Sequence, residues 1–173
     1  MPAVGIIMGS DSDLPIMKDA VDVLEEFGVS YDITVCSAHR LPKETADYAL
    51  TAQDRGVEVI IAGAGGAAHL PGVIAAYTVL PIIGVPIKTS TLSGVDSLYS
   101  IVQMPKGIPV ATVSINGSAN AALLAIEMIA IKDADLREKL ILYRQKMAKD
   151  VLEKDRKLKN LGIQDYLLHK GDQ

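Results

Sequence analysis

The sequence predicts an α/β fold built on a doubly wound parallel sheet, and three observations carry that expectation. Apolar, β-branched runs recur five times, and each ends in a loop rich in Gly, Ser or Thr. A helical pattern follows each loop, and strands alternating with helices belong to parallel sheets covered on both faces. The first, third and fourth runs are apolar throughout, apart from Glu58 near the start of the third, rather than alternating, as strands buried on both sides are.

The first run, residues 3–8, leads through Gly9-Ser10-Asp11-Ser12-Asp13 into a helix, with Asp13 placed to cap it ahead of Pro15. Gly28 stands where a left-handed glycine would stop that helix. The second run, 31–36, ends in Ser37-Ala38-His39-Arg40-Leu41-Pro42, with Pro42 in a first helical turn and Gly56 as the later stop. The third, 57–62, precedes Gly63-Ala64-Gly65-Gly66-Ala67-Ala68-His69-Leu70-Pro71-Gly72. The fourth, 81–85, runs on to a loop over 88–94. The fifth, 110–115, is followed by Asn116-Gly117-Ser118, with Ser118 as the cap of an apolar helix. Residues 59–87 contain no Asp, Glu, Lys or Arg, but five glycines and three prolines cut them into short elements unlike a membrane-spanning helix.

Beyond residue 131 the composition changes. Residues 132–160 are dense in charge, with Leu136, Leu140, Tyr143, Met147, Val151 and Leu158 mostly three or four apart, which predicts an amphipathic helix of about 25 residues, roughly 38 Å long. The helix before it, 121–131, is apolar on nearly all sides apart from Glu127. The pair reads either as a core helix followed by a surface helix, or as an oligomerisation element. The expected division is a catalytic domain over 1–131 and a C-terminal helix and tail over 132–173.

The chain has 173 residues, enough to bury roughly two thirds of its unfolded surface without a disulfide or metal. Its 17 basic and 21 acidic residues give a net charge of −4 with no basic block, which argues against nucleic acid or an anionic membrane as partner. One cysteine, Cys36, and the lack of a signal-peptide pattern fit a reducing cytoplasm. Six Tyr, one Phe and no Trp argue for a ligand held by amides, hydroxyls and charges rather than by stacking.

In an open α/β sheet, ligands bind beyond the carboxyl ends of the strands. Two of the three histidines and most of the clustered hydroxyls fall in the loops there. Gly9 to Asp13 combines a small residue and two hydroxyls with a helix start, which suits a sugar phosphate; Asp13 serves as a helix cap or as an acceptor for ribose hydroxyls. Ser37-Ala38-His39-Arg40 sets a group able to move protons near neutral pH beside a bidentate phosphate donor. Gly63 to Ala68 fits a loose dinucleotide fingerprint, but the strand that should end in an acid reads Leu80-Pro81-Ile82-Ile83-Gly84-Val85-Pro86-Ile87, so NAD is not expected. These glycines instead allow a ligand close to the backbone, with His69 directly after them. Cys36 ends an apolar run and reads as a small core residue, and His169 lies in a polar tail. Lys88 is within reach of the same edge but is one lysine at one strand end. No Walker lysine or zinc-spaced Cys/His set is present, so neither metal nor cofactor is expected.

Gly9-Ser10-Asp11-Ser12-Asp13, Ser37-Ala38-His39-Arg40, the run Ala62-Gly63-Ala64-Gly65-Gly66-Ala67-Ala68-His69-Leu70-Pro71-Gly72, and Asp96-Ser97-Leu98-Tyr99-Ser100-Ile101-Val102-Gln103-Met104-Pro105 together resemble the class I N5-carboxyaminoimidazole ribonucleotide mutases of purine biosynthesis. The resemblance runs from Val4 to about Ala130. It implies a flavodoxin-like three-layer αβα sandwich with five parallel strands, and a homo-octamer whose C-terminal helices pack on neighbouring subunits. The implied reaction moves the carboxyl group of N5-carboxyaminoimidazole ribonucleotide to C4, by release and recapture of CO2 in a closed pocket. By position, Ser10, Asp13 and Arg40 hold the ribose phosphate with help from Ser12 and Ser37. His39 shuttles the proton, and His69 with Gly65 and Gly66 lines the carboxylate pocket. The resemblance also implies a functional link to the ATP-dependent synthase that supplies the substrate. Leu14 departs from the family's usual Trp, and residues 116–119 look shorter than in some relatives. A direct aminoimidazole ribonucleotide carboxylase is the alternative enzyme, and a flavodoxin-like carrier the alternative from another class.

Overall fold

Five parallel strands form one sheet in the order β2-β1-β3-β4-β5: β1 (Val4–Met8), β2 (Tyr31–Val35), β3 (Val59–Gly65), β4 (Ile82–Ile87) and β5 (Ala111–Thr112). This is a computed structural model, describing residues 1–170 with side chains through residue 168. Val4 aligns with Tyr31 on one side and Val59 on the other, and Ile60 aligns with Ile82. The chain steps outward from β1 to β2, then crosses back over β1 to β3. The order reverses beside β1, which is where a doubly wound sheet opens its ligand crevice.

Helices cover both faces and explain the apolar runs. Helices α1 (Leu14–Phe27) and α5 (Ser118–Ile129) pack on each other on one side, while α2 (Pro42–Thr51), α3 (Leu70–Ala75) and α4 (Val95–Val102) form the layer on the other. Ile6, Ile7, Ile60, Ile61 and Ile83 between them are fully buried. The flavodoxin-like three-layer architecture is therefore present. The edge strand β2 keeps Ile33 and Val35 partly in solvent. Gly28 takes the left-handed conformation at φ 72° and stops α1, its N–H closing on the carbonyls of Glu25 and Leu24.

Four local expectations need correction. Asp13 makes no capping hydrogen bond to α1; a 3₁₀ turn at Asp11–Asp13 precedes the helix, and the Ser10 hydroxyl caps that turn by accepting from Ser12 N–H. Ser118 is the first residue of α5 rather than its cap, and its hydroxyl donates across to the Ile16 carbonyl of α1. Strand β5 is two residues long, not six. The Gly84 and Pro86 carbonyls accept from Val113 and Asn116, but Pro86 has no N–H to return, so the ladder lapses into a bend with Asn116 at φ 58°. The charged C-terminal pattern extends further than 160, as described next.

Met1–Lys132 make one compact unit, and the chain from Asp133 onward a second. The second unit is α6 (Ala134–Lys170), opened by Asp133, whose Oδ1 accepts from Leu136 N–H at 3.0 Å. Gly162, at φ 72° and ψ 168°, interrupts it. The regular stretch before that break is about 42 Å long at ~1.5 Å per residue. Ile141, Leu142, Met147, Val151, Leu152 and Leu158 are exposed along it. Among the described residues no helix is long and apolar enough to cross a membrane. The side chain of His169 lies outside the described residues.

Candidate active site

The carboxyl ends of β1, β2, β3 and β4 deliver their loops to one cavity of about 570 Å³. Ser10, Ser12, Asp13, Ser37, His39, Arg40, Gly65 and His69 all line it. A larger hollow, about 810 Å³, opens elsewhere on the same unit between residues such as Leu50, Tyr77, Leu80 and Pro109, and no acid or base lines it. The histidines, the arginine and the clustered hydroxyls gather at the smaller cavity.

One wall is the loop after β1. Ser12 Oγ stands 2.9 Å from Ser10 Oγ and 3.3 Å from Asp13 Oδ1, and Ser10 Oγ lies 3.2 Å from Asp11 Oδ1. The carboxyl of Asp13 is buried. Loss of water raises its pKa above the ordinary carboxylate value, while hydrogen bonds from Ser12 and Ser10 pull it partly back. The turn after β2 forms the next wall. The Ser37 carbonyl accepts from the N–H groups of Arg40 and Leu41 at 3.1 and 2.7 Å, folding the chain back and presenting His39 and Arg40. Arg40 Nη2 donates to the Gly9 carbonyl at 3.2 Å, which ties the two walls and leaves most of the five guanidinium donors for a ligand. Beneath this turn Cys36 is buried, its sulfur 3.2 Å from Thr45 Oγ1.

The two histidines meet across the end of β1. His39 Nε2 lies 2.8 Å from His69 Nδ1, with the rings edge to face at 88°. One nitrogen must donate and the other accept, so each ring's tautomer fixes the other's. If His39 carries its proton on Nε2, His69 carries its own on Nε2, the atom remote from the bond.

The glycine loop after β3 is held from behind. Ser97 of α4 accepts from Gly66 N–H at 2.9 Å and donates to the Ile87 carbonyl at 2.7 Å, while Ser100 donates to the Gly66 carbonyl at 3.2 Å. Both Gly66 backbone groups are thereby engaged by α4, and Gly66 is not among the lining residues; Ala64, Gly65 and Ala67 are. At φ 65° Gly66 makes the left-handed turn that lets Gly65 and Ala67 flank the cavity. Sequence reasoning missed this use of Ser97 and Ser100, although hydroxyls one turn apart on a helix are a signal for it. It also undervalued Lys88 and Thr89, which complete the lining at the end of β4.

Residues 3–150 match the family described as AIR carboxylase. The chain is 58% identical over 170 residues to the N5-carboxyaminoimidazole ribonucleotide mutase of Thermotoga maritima, covering 98% of this chain and 99% of that one. It is 61% identical over 166 residues to the mutase of Pyrococcus horikoshii, covering 96% and 94%. The phosphoribosylaminoimidazole carboxylase of Saccharomyces cerevisiae is 56% identical over 169 residues, 98% of this chain but 30% of that protein. The crystal structure of Treponema denticola PurE superposes with a TM-score of 0.84 at 30% identity, over 92% of this chain and 99% of that one.

Proposed function

The chain belongs to the AIR carboxylase family, and on that footing we propose that it converts N5-carboxyaminoimidazole ribonucleotide to 4-carboxy-5-aminoimidazole ribonucleotide, an isomerisation in purine biosynthesis. The observation that carries the residue-level reading is the hydrogen-bonded His39–His69 pair, in one cavity with a Ser and Arg cradle.

The ribose phosphate sits at the start of α1, where Ser10, Ser12 and the Arg40 guanidinium supply donors and the helix terminus favours an anion. Asp13 faces the ribose hydroxyls and Ser37 closes the cradle. The N–C bond of the carbamate breaks, its electron pair stays on the exocyclic nitrogen, and that nitrogen takes a proton from the His39 imidazolium, leaving neutral imidazole. The released CO2 stays against Ala64, Gly65 and Ala67, a wall without charge. Carbon 4 of the ring then attacks the CO2 and gives up its proton to His39, so the imidazole ends as it began. His69 acts by holding the His39 ring through the bond at Nε2, which leaves the other His39 nitrogen to carry the proton. This scheme uses no group outside the nucleotide and these side chains.

Several broader features belong to the same proposal. The protein works in the cytoplasm as a homo-octamer and takes its substrate from the ATP-dependent synthase that makes the carbamate. Exposed Leu92, Val95, Tyr99 and Val102, three or four residues apart on and before α4, support assembly, because contiguous exposed apolar surface marks contact sites. The fungal likeness keeps a direct carboxylase as the second reading, since identity there is nearly as high. The length match to the mutases favours the first. Incubating the purified protein with freshly prepared N5-carboxyaminoimidazole ribonucleotide and following the product chromatographically tests it. Turnover supports the assignment, and its absence in a protein that binds the nucleotide contradicts it.

A further inference from the structure

The cradle described so far places one permanent cation, Arg40, at the phosphate end of a cavity whose ligand carries two anionic groups. Lys88 is the other permanent cation among the lining residues, and it enters from the opposite side of the sheet's switch point, at the end of β4. Its backbone is fixed although its side chain is exposed. The Lys88 N–H donates to Asn116 Oδ1 at 2.8 Å, and Asn116 sits in the left-handed region at φ 58° with its own N–H on the Pro86 carbonyl. Gly94, at φ 92°, brings the returning loop so close that a Cβ there would stand 3.1 Å from Lys88 Cα. The first acid in the sequence after that loop, Asp96 in the first turn of α4, is engaged by the Thr89 hydroxyl at 2.9 and 3.1 Å. None of the ion pairs formed by the described residues involves Lys88. A fixed backbone thus sets Lys88 on the cavity wall, and none of the ion pairs among the described residues holds its ammonium.

We propose that Lys88 is a specificity residue that receives the migrating carboxylate, so that the site holds carboxylated mononucleotides in preference to uncarboxylated ones. The inference rests on the reading of the cavity as a carboxyaminoimidazole ribonucleotide site. Substrate and product both carry the carboxylate, and both gain from the ammonium. Free CO2 has no charge and gains nothing. Lys88 therefore acts on binding, and its loss raises KM without slowing the bond-breaking step.

Titration calorimetry with two ligands tests this: 4-carboxy-5-aminoimidazole ribonucleotide and 5-aminoimidazole ribonucleotide, which differ only in the carboxylate. In Lys88→Met the Kd for the carboxylated ligand rises about tenfold, as expected for one partly exposed charge-assisted contact, while that for the uncarboxylated ligand moves less than about twofold. Lys88→Arg restores most of the difference, because it returns the charge on the same backbone. If both ligands weaken together in Lys88→Met, the ammonium serves the phosphate and the proposal is wrong. If neither weakens, Lys88 has no ligand role and the proposal is equally wrong. If the unaltered protein binds neither nucleotide, the reading of the cavity falls first, and this inference with it.

Discussion

In the proposed mechanism the chemistry turns on His39, whose bond to another imidazole makes the two rings a single unit. His39→Asn removes the proton carrier but keeps size and polarity, so turnover falls about 10²-fold or more while the nucleotide still binds. A variant within about threefold of the unaltered protein in steady-state turnover would contradict the shuttle role. Arg40→Ala acts on affinity instead. Loss of a charge-assisted phosphate contact worth ~1.5–3 kcal/mol raises the Kd by an order of magnitude or more in calorimetry. Asp13 gives a pH signature. Burial raises its pKa above the ordinary 3.8, so just above that pH the folded chain binds more protons than the unfolded one. Stability attributable to this group therefore falls as pH rises through that window. Asp13→Asn escapes the penalty: its Tm at neutral pH equals or exceeds that of the unaltered protein, and any advantage vanishes as pH falls toward 3.8. Its nucleotide affinity drops. A Tm several degrees lower at neutral pH would show that the carboxylate is a structural asset rather than a ligand group.

The element that steadies the site is α4, through hydroxyls that grip a loop 31 and 34 residues earlier in the chain. Ser97→Ala leaves the Gly66 N–H and the Ile87 carbonyl without their partner. With the bond to Ile87 buried and the bond from Gly66 part-buried, this costs about 1–3 kcal/mol, or roughly 3–10 °C in Tm for a chain of this size, read by calorimetric melting. An unchanged Tm would mean that the loop holds itself. Strands β1, β3 and β4 were legible in the sequence because burial on both faces leaves only apolar residues. Strand β5 was not, since its length depends on Pro86, a residue of the neighbouring strand. The site shows the same split. His39 and Arg40 announce themselves as an adjacent pair. The closeness of His39 to His69, 30 residues apart, exists only because β2 and β3 flank β1. Lys88 was underrated for the same reason, its backbone being held by Asn116 from a different strand connection. The caps failed for a local reason: a 3₁₀ turn inserted before α1 moved the capping duty from Asp13 to Ser10.

At the scale of the whole molecule, the long C-terminal helix and the exposed apolar residues of α4 belong with the proposed assembly. Light scattering should give a mass several times that of the 18.4 kDa chain, and ending the chain after Lys132 should yield smaller or aggregating species. An 18.4 kDa monomer for the full chain would contradict the assembly. What sets the proposed reaction apart, however, is that the carboxyl group of the product comes from the nucleotide itself. A wall of Ala64, Gly65 and Ala67 can retain a released CO2, and a direct carboxylase would instead draw it from solution. The most direct measurement supplies unlabelled N5-carboxyaminoimidazole ribonucleotide in ¹³C-bicarbonate and reads the product by mass spectrometry at early times, with non-enzymatic exchange of the substrate measured alongside. Product that remains unlabelled is the expected result. Full incorporation of ¹³C without substrate exchange would contradict it and make the protein a direct carboxylase.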